Sequence, residues 1–491
     1  MINLQMLDIL LTPIRAFRMR YIPLLLIYFS YGSGVFTAIA VNFWVKDSLD
    51  MSAANLAELA VWLGVPWTVK MIFGSLVDSV NIFGSNRKSY VYIGAVLITI
   101  SSLMMIAVVG DYAIVEDLSK KAVYVFASII AVVGFVMQDV VADTMTTEVI
   151  DKTQSREKIN QELATIQVLA RLSLGFAIFI TGWIGGELAD VFHDNREVVF
   201  KIALFVPLLS ILGVTLVKLN PVPVSPVNKQ VLFGGFLFAI FIVLMGYNDV
   251  PYSQEIVFVI SLSVVLYLLS DLINDLEADT IRHIKMAMII IFVYRAMPSV
   301  GAGLSWWEID ILGFDESFFA KLSAIGGGIA LLGMWFSAKF IIKRDIAEVL
   351  IFLTIIGTLL SLPILAMYYD IHTMLGFDAR TVALVDTAMA SPFDYIAQVL
   401  MLTLVAIYAP EGKKGTWFAL MASLMNIALS AGGLFTKYLN QMFVVTREVV
   451  TDGVIITAQN YSELGSLLWV VIIIGFVVPI ITIIKYNPNK A

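Results

Sequence analysis

Apolar runs of about 20 residues, the length a helix needs to cross roughly 30 Å of hydrocarbon, recur from one end of this chain to the other. They fall at 21–45, 53–78, 89–110, 122–149, 159–188, 197–217, 231–247, 256–274, 284–306, 317–341, 346–368, 380–408, 415–440 and 464–485. Of 491 residues, 59% are hydrophobic and only 14% charged, with a mean hydropathy of +0.90. A soluble domain cannot hide that much apolar surface from water. The expected fold class is therefore an all-α polytopic membrane protein with about fourteen spans.

Several chemistries are excluded at once. The chain has no cysteine, so disulfides, thiolate metal sites and cysteine nucleophiles are absent. His193, His283 and His372 lie far apart in loops or at helix ends, which predicts no metal or acid-base cluster. No phosphate-binding glycine loop with Lys-Ser or Lys-Thr is present, so ATP does not drive the protein directly. A net charge of -7 argues against a nucleic-acid partner. The start, MINLQMLDILLTPIRAFRMRY, has its arginines after the first apolar run and no small-residue cleavage site, unlike a signal peptide. It reads as an amphipathic lead-in on the membrane surface. The expectation is a monomeric protein that is not an enzyme and carries no cofactor or metal.

Basic residues concentrate on one side of the membrane, including Arg15, Arg18, Arg20, Arg87, Lys88, Arg156, Lys158, Lys343, Arg344, Lys413 and Lys414. That bias puts both termini in the cytoplasm. The turn NDVPYSQE between the seventh and eighth runs has no Lys or Arg, as an outside loop should. Those two runs form a hairpin after the Pro-rich break NPVPVSPVNK, and without them two blocks of six remain. The expected organisation is a lead-in over 1–20, a six-helix half over 21–218, a linker with a peripheral two-helix hairpin over 219–280 and a second six-helix half over 281–491. The halves echo each other weakly: SYGSGVFTA (Ser30 to Ala38) and PSVGAGLSW (Pro298 to Trp306) are glycine-rich stretches in mid-span of each half's first helix, where backbones can pack closely. Two six-helix halves in parallel repeat describe the major facilitator architecture.

One polar stretch interrupts the apolar pattern. KMIFGSLVDSVNIFGSNRKSY, Lys70 to Tyr90, places Lys70, Gly74 and Asp78 on one helix face and then supplies Gly84, Arg87 and Lys88 in a tight turn. A carboxylate leaving the membrane beside paired cations can make charge-assisted contacts in one conformation and release them in another. Asp78, Arg87 and Lys88 are thus gating candidates, the plainer alternative being that they only mark the membrane boundary. The stretch resembles the signature after the second helix of the major facilitator superfamily. More narrowly, Trp67, Lys70, Asp78, Ser79, Ile82, Gly84, Arg87 and Tyr90 stand as in the folate-biopterin transporter family. QDVVADTMTTEV (Asp139, Asp143, Glu148), MPSVGAGLSWWEIDILGF (Pro298, Ser299, Leu312, Gly313, Phe314) and APEGKKGTWFALMASLMNIALSAGG (Pro410, Gly412, Thr416, Ala419, Leu420, Ser423, Asn426) also resemble that family. Lys414, Met71 and Arg171 depart from its usual residues.

Charges within spans are costly and usually face a cavity or a partner. Arg295 lies roughly 16 Å and Asp394 roughly 20 Å in from their helix starts at about 1.5 Å per residue, and Asp139 is similarly deep. Where the first and fourth helices of each half line a central path, Asp139 and Asp143 would stand opposite Arg295 and Asp394. Arg295, Arg171 and Lys70 are the candidate substrate ligands, and Asp394, Asp139 and Asp143 the candidate proton carriers. Structural pairing of Asp139 with Arg171, and snorkelling of Lys70, are the alternatives. Trp44, Trp306 and Trp307 read as an interfacial belt. The resemblance implies a secondary transporter that moves an anionic pterin- or folate-like solute with protons by alternating access, in the lipid bilayer of a bacterial inner (plasma) membrane. A non-transporting membrane assembly factor, or a transporter of another organic anion or amino acid, is the alternative.

Overall fold

Each apolar run becomes helix in the computed structural model, which describes residues 17–85, 87–146, 148–150, 156–219, 229–247, 250–340, 346–408, 414–451 and 454–487. Most of the 1–20 lead-in lies outside these. In chain order the helices are α1 (Ile22–Gly32), α2 (Ala38–Ser48), α3 (Ala53–Thr68), α4 (Lys70–Ser79), α5 (Lys88–Val109), α6 (Lys120–Met145), α7 (Arg156–Val191), α8 (Glu197–Ala203) and α9 (Phe205–Leu216). The central hairpin is α10 (Lys229–Tyr247) and α11 (Ser253–Ile273). Then come α12 (Ala278–Arg295), α13 (Ala302–Asp310), α14 (Glu316–Phe340), α15 (Ile346–Leu360), α16 (Leu362–Tyr368), α17 (Ile371–Met374), α18 (Ala379–Ile407), α19 (Lys414–Met442) and α20 (Leu464–Lys485). A two-stranded antiparallel ribbon, β1 (Val449–Thr451) with β2 (Val454–Thr457), sits between α19 and α20. Among the described residues, 10 stretches of helix are long and apolar enough to cross a membrane.

The chain divides into two compact units. The first holds Met1–Leu49, Ile72–Gly235 and Glu316–Leu331. Its helices approach closely where glycines remove side chains: a Cβ on Gly94 would stand 2.8 Å from the Gly134 carbonyl of α6, and one on Gly134 would meet the Gly94 carbonyl at the same distance. Some buried polar groups bond across helices: Gln138 donates to Ser210 Oγ at 2.9 Å and Ser30 donates to the Val206 carbonyl at 2.6 Å. Arg196 bonds both Asp47 at 2.7 Å and Glu316 at 2.9 Å, tying the start of α14 to the end of α2.

The second unit holds Asp50–Met71, Phe236–Asp315 and Leu332–Ala491. Its core interleaves Leu269 and Ile273 of α11, Ile284 and Ile291 of α12, Leu350 of α15 and Leu400 of α18 around Trp417 and Leu424 of α19. The Trp417 ring N–H donates to the Val405 carbonyl at 2.7 Å, so even this fully buried indole has its partner. Helix α3 lies along α19, and Asn426 donates to the Trp67 carbonyl at 3.1 Å, just where α3 stops and α4 begins. The second hairpin helix, expected to be peripheral, is instead bonded into this unit. Gln254 donates to Glu58, Lys437 donates to Gln254 at 2.9 Å and to Glu255 at 3.1 Å, and Tyr438 donates to Glu255 at 2.6 Å.

Both glycine-rich echoes break their helices. SYGSGVFTA leaves α-geometry for a 3-10 stretch over Ser33–Thr37 before α2 resumes. PSVGAGLSW separates α12 from α13, with Gly301 at a φ of +82°, a conformation that disfavours any residue with a Cβ. The second break frees backbone groups in mid-span, and α19 satisfies them: Thr436 Oγ accepts from the Ser299 N–H at 2.9 Å, and Asn440 donates to the Val300 carbonyl at 3.0 Å. The span expected at 284–306 is thus two half-helices, with Arg295 the last residue of the first.

Candidate functional site

Beside that break lies a cavity of about 550 Å³, within the size range of small-molecule sites. Tyr294, Arg295 and Pro298 form one wall, and Phe393 of α18 and Gly475 of α20 others. Thr354, Thr358 and Ser361 add a ladder of hydroxyls along one face of α15 and the residue after it. Each hydroxyl donates its proton to a carbonyl four residues back, at 2.8, 2.8 and 2.9 Å. In that state each oxygen presents lone pairs and acts as an acceptor. Arg295 Nε donates to the Met425 carbonyl at 3.3 Å. Among the described residues that is its one hydrogen bond, and no carboxylate pairs with it, so the guanidinium keeps most of its donors for something else. The negative end of α12 favours a cation at this position. The backbone of Asp394 continues α18 one residue beyond Phe393, and its side chain lies outside the described ones.

In the first unit the acidic candidates gather around tyrosines. Asp143 accepts from Tyr28 at 2.8 Å and lies 3.7 Å from the guanidinium of Arg171, whose side chain is half exposed. Asp139, one turn earlier on α6, is buried and within electrostatic reach of Tyr31 and Arg171. Asp139, Asp143 and Arg171 therefore form one cluster with two phenols. Tyr28 and Tyr31 were not singled out by sequence, because a tyrosine inside an apolar run looks like packing. Lys70 opens α4 and is half-buried, in the second unit with Trp67.

The stretch from Lys70 to Tyr90 contributes one side of a buried ion pair. Arg87, 8% exposed, donates from Nε to Glu148 at 2.8 Å and from Nη1 to the Val77 carbonyl at 2.7 Å. Glu148, 3% exposed, lies just past α6, so the pair bolts the α4–α5 turn to the end of α6. The turn itself is tight: Phe83 and Gly84 have positive φ, and Ser85 Oγ accepts from the Arg87 and Lys88 N–H groups at 3.2 and 3.0 Å. Lys88 thus starts α5 with its backbone capped, and its side chain is half-buried. The side chain of Asp78 lies outside the described ones.

Other charged groups have no pattern in the sequence that marks them. Glu162 is buried on α7, where Tyr21 donates to it and Arg20 pairs with it. Glu308 and Asp386 are close enough to repel each other, and among the described residues Asp386 Oδ1 is buried with no hydrogen-bond partner. Trp44, Trp306 and Trp307, expected at the lipid headgroups, are each 4% exposed. They pack on Tyr124, beneath the Arg447 guanidinium and on Tyr368.

Long apolar helices and mid-span breaks lined by side chains define an integral multi-pass membrane protein. Its fold is that of the major facilitator transporters. It is similar to a solved POT family transporter in complex with a thioalcohol-conjugated peptide, at a TM-score of 0.68 and 11% identity, covering 97% of this chain and 99% of that one. A D-xylose-proton symporter gives a TM-score of 0.56 at 12% identity over 96% of this chain and 98% of its own. The chain matches the BT1 family over residues 32–488 and belongs to it. It is 24% identical over 425 residues to the folate-biopterin transporter of Synechocystis sp., covering 85% of this chain and 75% of that one. Folate transporter 1 of Plasmodium falciparum is 19% identical over 433 residues, covering 88% of this chain and 73% of its own. These relatives are transporters, and none is an enzyme.

Proposed function

We propose that this protein is a secondary transporter that moves an anionic pterin- or folate-like solute by alternating access, coupled to protons. The observation that carries the reading is Arg295, a guanidinium on a cavity wall at the break between α12 and α13, with no carboxylate partner among the described residues. A charge is expensive there, and a planar fork of donors matches a carboxylate in two parallel hydrogen bonds. The hydroxyls of Thr354, Thr358 and Ser361 in the same lining suit the other end of such a solute, because hydroxyls that spend their protons on their own helix accept from a ring rich in N–H groups. Tyr294 and Phe393 add flat faces for stacking. The names of the relatives support the same substrate class.

Protons would be carried by Asp394, with Asp139 and Asp143 as the second candidates. Substrate carboxylate and Asp394 would compete for Arg295, so substrate arrival would favour protonation of Asp394. Arg87, Lys88 and Asp78 would act in conformational switching, the Arg87–Glu148 pair forming in one state and opening in another. The division into halves at 21–218 and 281–491, with both termini cytoplasmic, is part of this proposal.

Equilibrium binding of labelled folate to the purified protein tests the site directly. Arg295→Lys keeps the charge and loses the fork, so binding should weaken, while Asp78→Asn should leave binding nearly intact and slow exchange. Unchanged affinity in Arg295→Lys would remove this cavity as the substrate site.

A further inference from the structure

A second cavity, of about 490 Å³, opens beside the hairpin. Leu262, Leu266 and Ser270 of α11 form one wall, Ile289 and Phe292 of α12 the other, and Leu424 of α19 the floor. The spacing is helical on both sides, so each helix presents one stripe to the gap. Apart from Ser270 and Lys285 the lining is apolar. Leu266 is 43% exposed, and its neighbour Tyr267 is 72% exposed, so this side of α11 meets the surroundings of a membrane-spanning helix. At the end where α11 stops and α12 starts, the exposed Lys285 stands on the rim, and Arg282 lies one turn further along the same stripe.

We infer that this cavity takes one acyl chain of a phospholipid, with the lipid phosphate held by Lys285. Three observations converge on that occupant. The cavity lies in a span, where the solvent is lipid. Its volume of about 490 Å³ is in the range of small-molecule sites, room for a stretch of acyl chain. The single cation on its wall lies at the mouth, at the depth of headgroups, where a buried-chain lipid presents its phosphate. Asp271 and Asp275 stand near the same end of α11, so the mouth carries both signs and suits a zwitterionic head such as phosphatidylethanolamine. A bound chain here would lie between the facing stripes of α11 and α12.

Native mass spectrometry of the full chain, delipidated and titrated with dioleoyl phosphatidylethanolamine, tests the inference. Wild type should retain one lipid through detergent removal. Lys285→Glu should cut retention roughly tenfold, the worth of one charge-assisted contact, and the cavity-filling pair Leu266→Trp with Ser270→Phe should abolish it. Equal retention by the filled variant, or equal retention of dioleoylglycerol, which has the chains without the phosphate, would overturn the inference. A phosphatidylethanolamine with a diazirine in its acyl chain gives a readout on wild type alone. Cross-links should map to α11 and α12 around Leu266 and Ile289, and a map with no cross-links there would also overturn it.

Discussion

Replacing Glu148 by Gln removes one charge from a buried pair and little else, since the amide oxygen still accepts from Arg87. At 2.8 Å the Coulomb attraction is about 6 kcal/mol at an effective dielectric of about 20. Both groups lost water on burial, so only part of this is net. Breaking a buried pair by removing one partner costs about 3–5 kcal/mol when the remaining charge has no other partner. With one hydrogen bond retained and the Val77 carbonyl still in place, the expected loss is at the lower end, about 3 kcal/mol. In a cooperative unit of roughly 200 residues, 1 kcal/mol moves Tm by about 2–4 °C. Thermal unfolding in detergent, followed by tryptophan fluorescence, should therefore fall by roughly 6–12 °C. The double variant Arg87→Met with Glu148→Leu should recover part of that, because the two charges of this pair are then removed together. An unchanged Tm in the single variant, or a double variant as unstable as the single, would refute the reasoning.

Three other perturbations have definite signs. Arg295→Ala should weaken folate binding by roughly ten- to a hundred-fold without lowering Tm, since a hydrogen bond to a charged group is worth about 1.5–3 kcal/mol and the guanidinium bonds little of the protein; calorimetric titration checks both. Gly185→Ala should destabilise by about 1–3 kcal/mol, because the new Cβ would collide with the Phe36 carbonyl, whereas Gly234→Ala meets nothing within 4 Å and should be neutral or better; paired melting curves decide it. Burial, and then its 2.5 Å hydrogen bond to Asp310, push the Tyr461 hydroxyl well above its ordinary value. Its folded-state value is raised, so its contribution is complete below about pH 10 and fades as pH climbs through the raised value; Tyr461→Phe should lose stability at neutral pH and show less further loss in an alkaline melting series.

The parts of this protein visible in its sequence are those that membranes make expensive. An arginine in mid-span, glycine clusters at matching places in two helices and a basic turn between spans all stand out against hydrocarbon. The breaks at Ser33–Thr37 and before Ala302 fall on those clusters. What stayed hidden depends on partners distant in sequence. Glu148 is 61 residues from Arg87, and no local pattern joins them. Thr354, Thr358 and Ser361 look like ordinary small polar residues in an apolar run until a cavity opens beside them. The hairpin reads as dispensable because its interior carries no charge, yet its first turn, Gln254 and Glu255, bonds Glu58, Lys437 and Tyr438. The tryptophans misled for the opposite reason, since membrane-belt statistics cannot see a neighbouring arginine or tyrosine.

Uptake into vesicles measures transport directly. Purified protein in proteoliposomes should accumulate labelled folate above its external concentration when an inward proton gradient is imposed, and Arg295→Lys should reduce the rate. Asp394→Asn should abolish accumulation while leaving downhill exchange. Absence of uptake for folate and pterins alike, from a protein that binds them and keeps its melting temperature in the vesicles, would contradict the account.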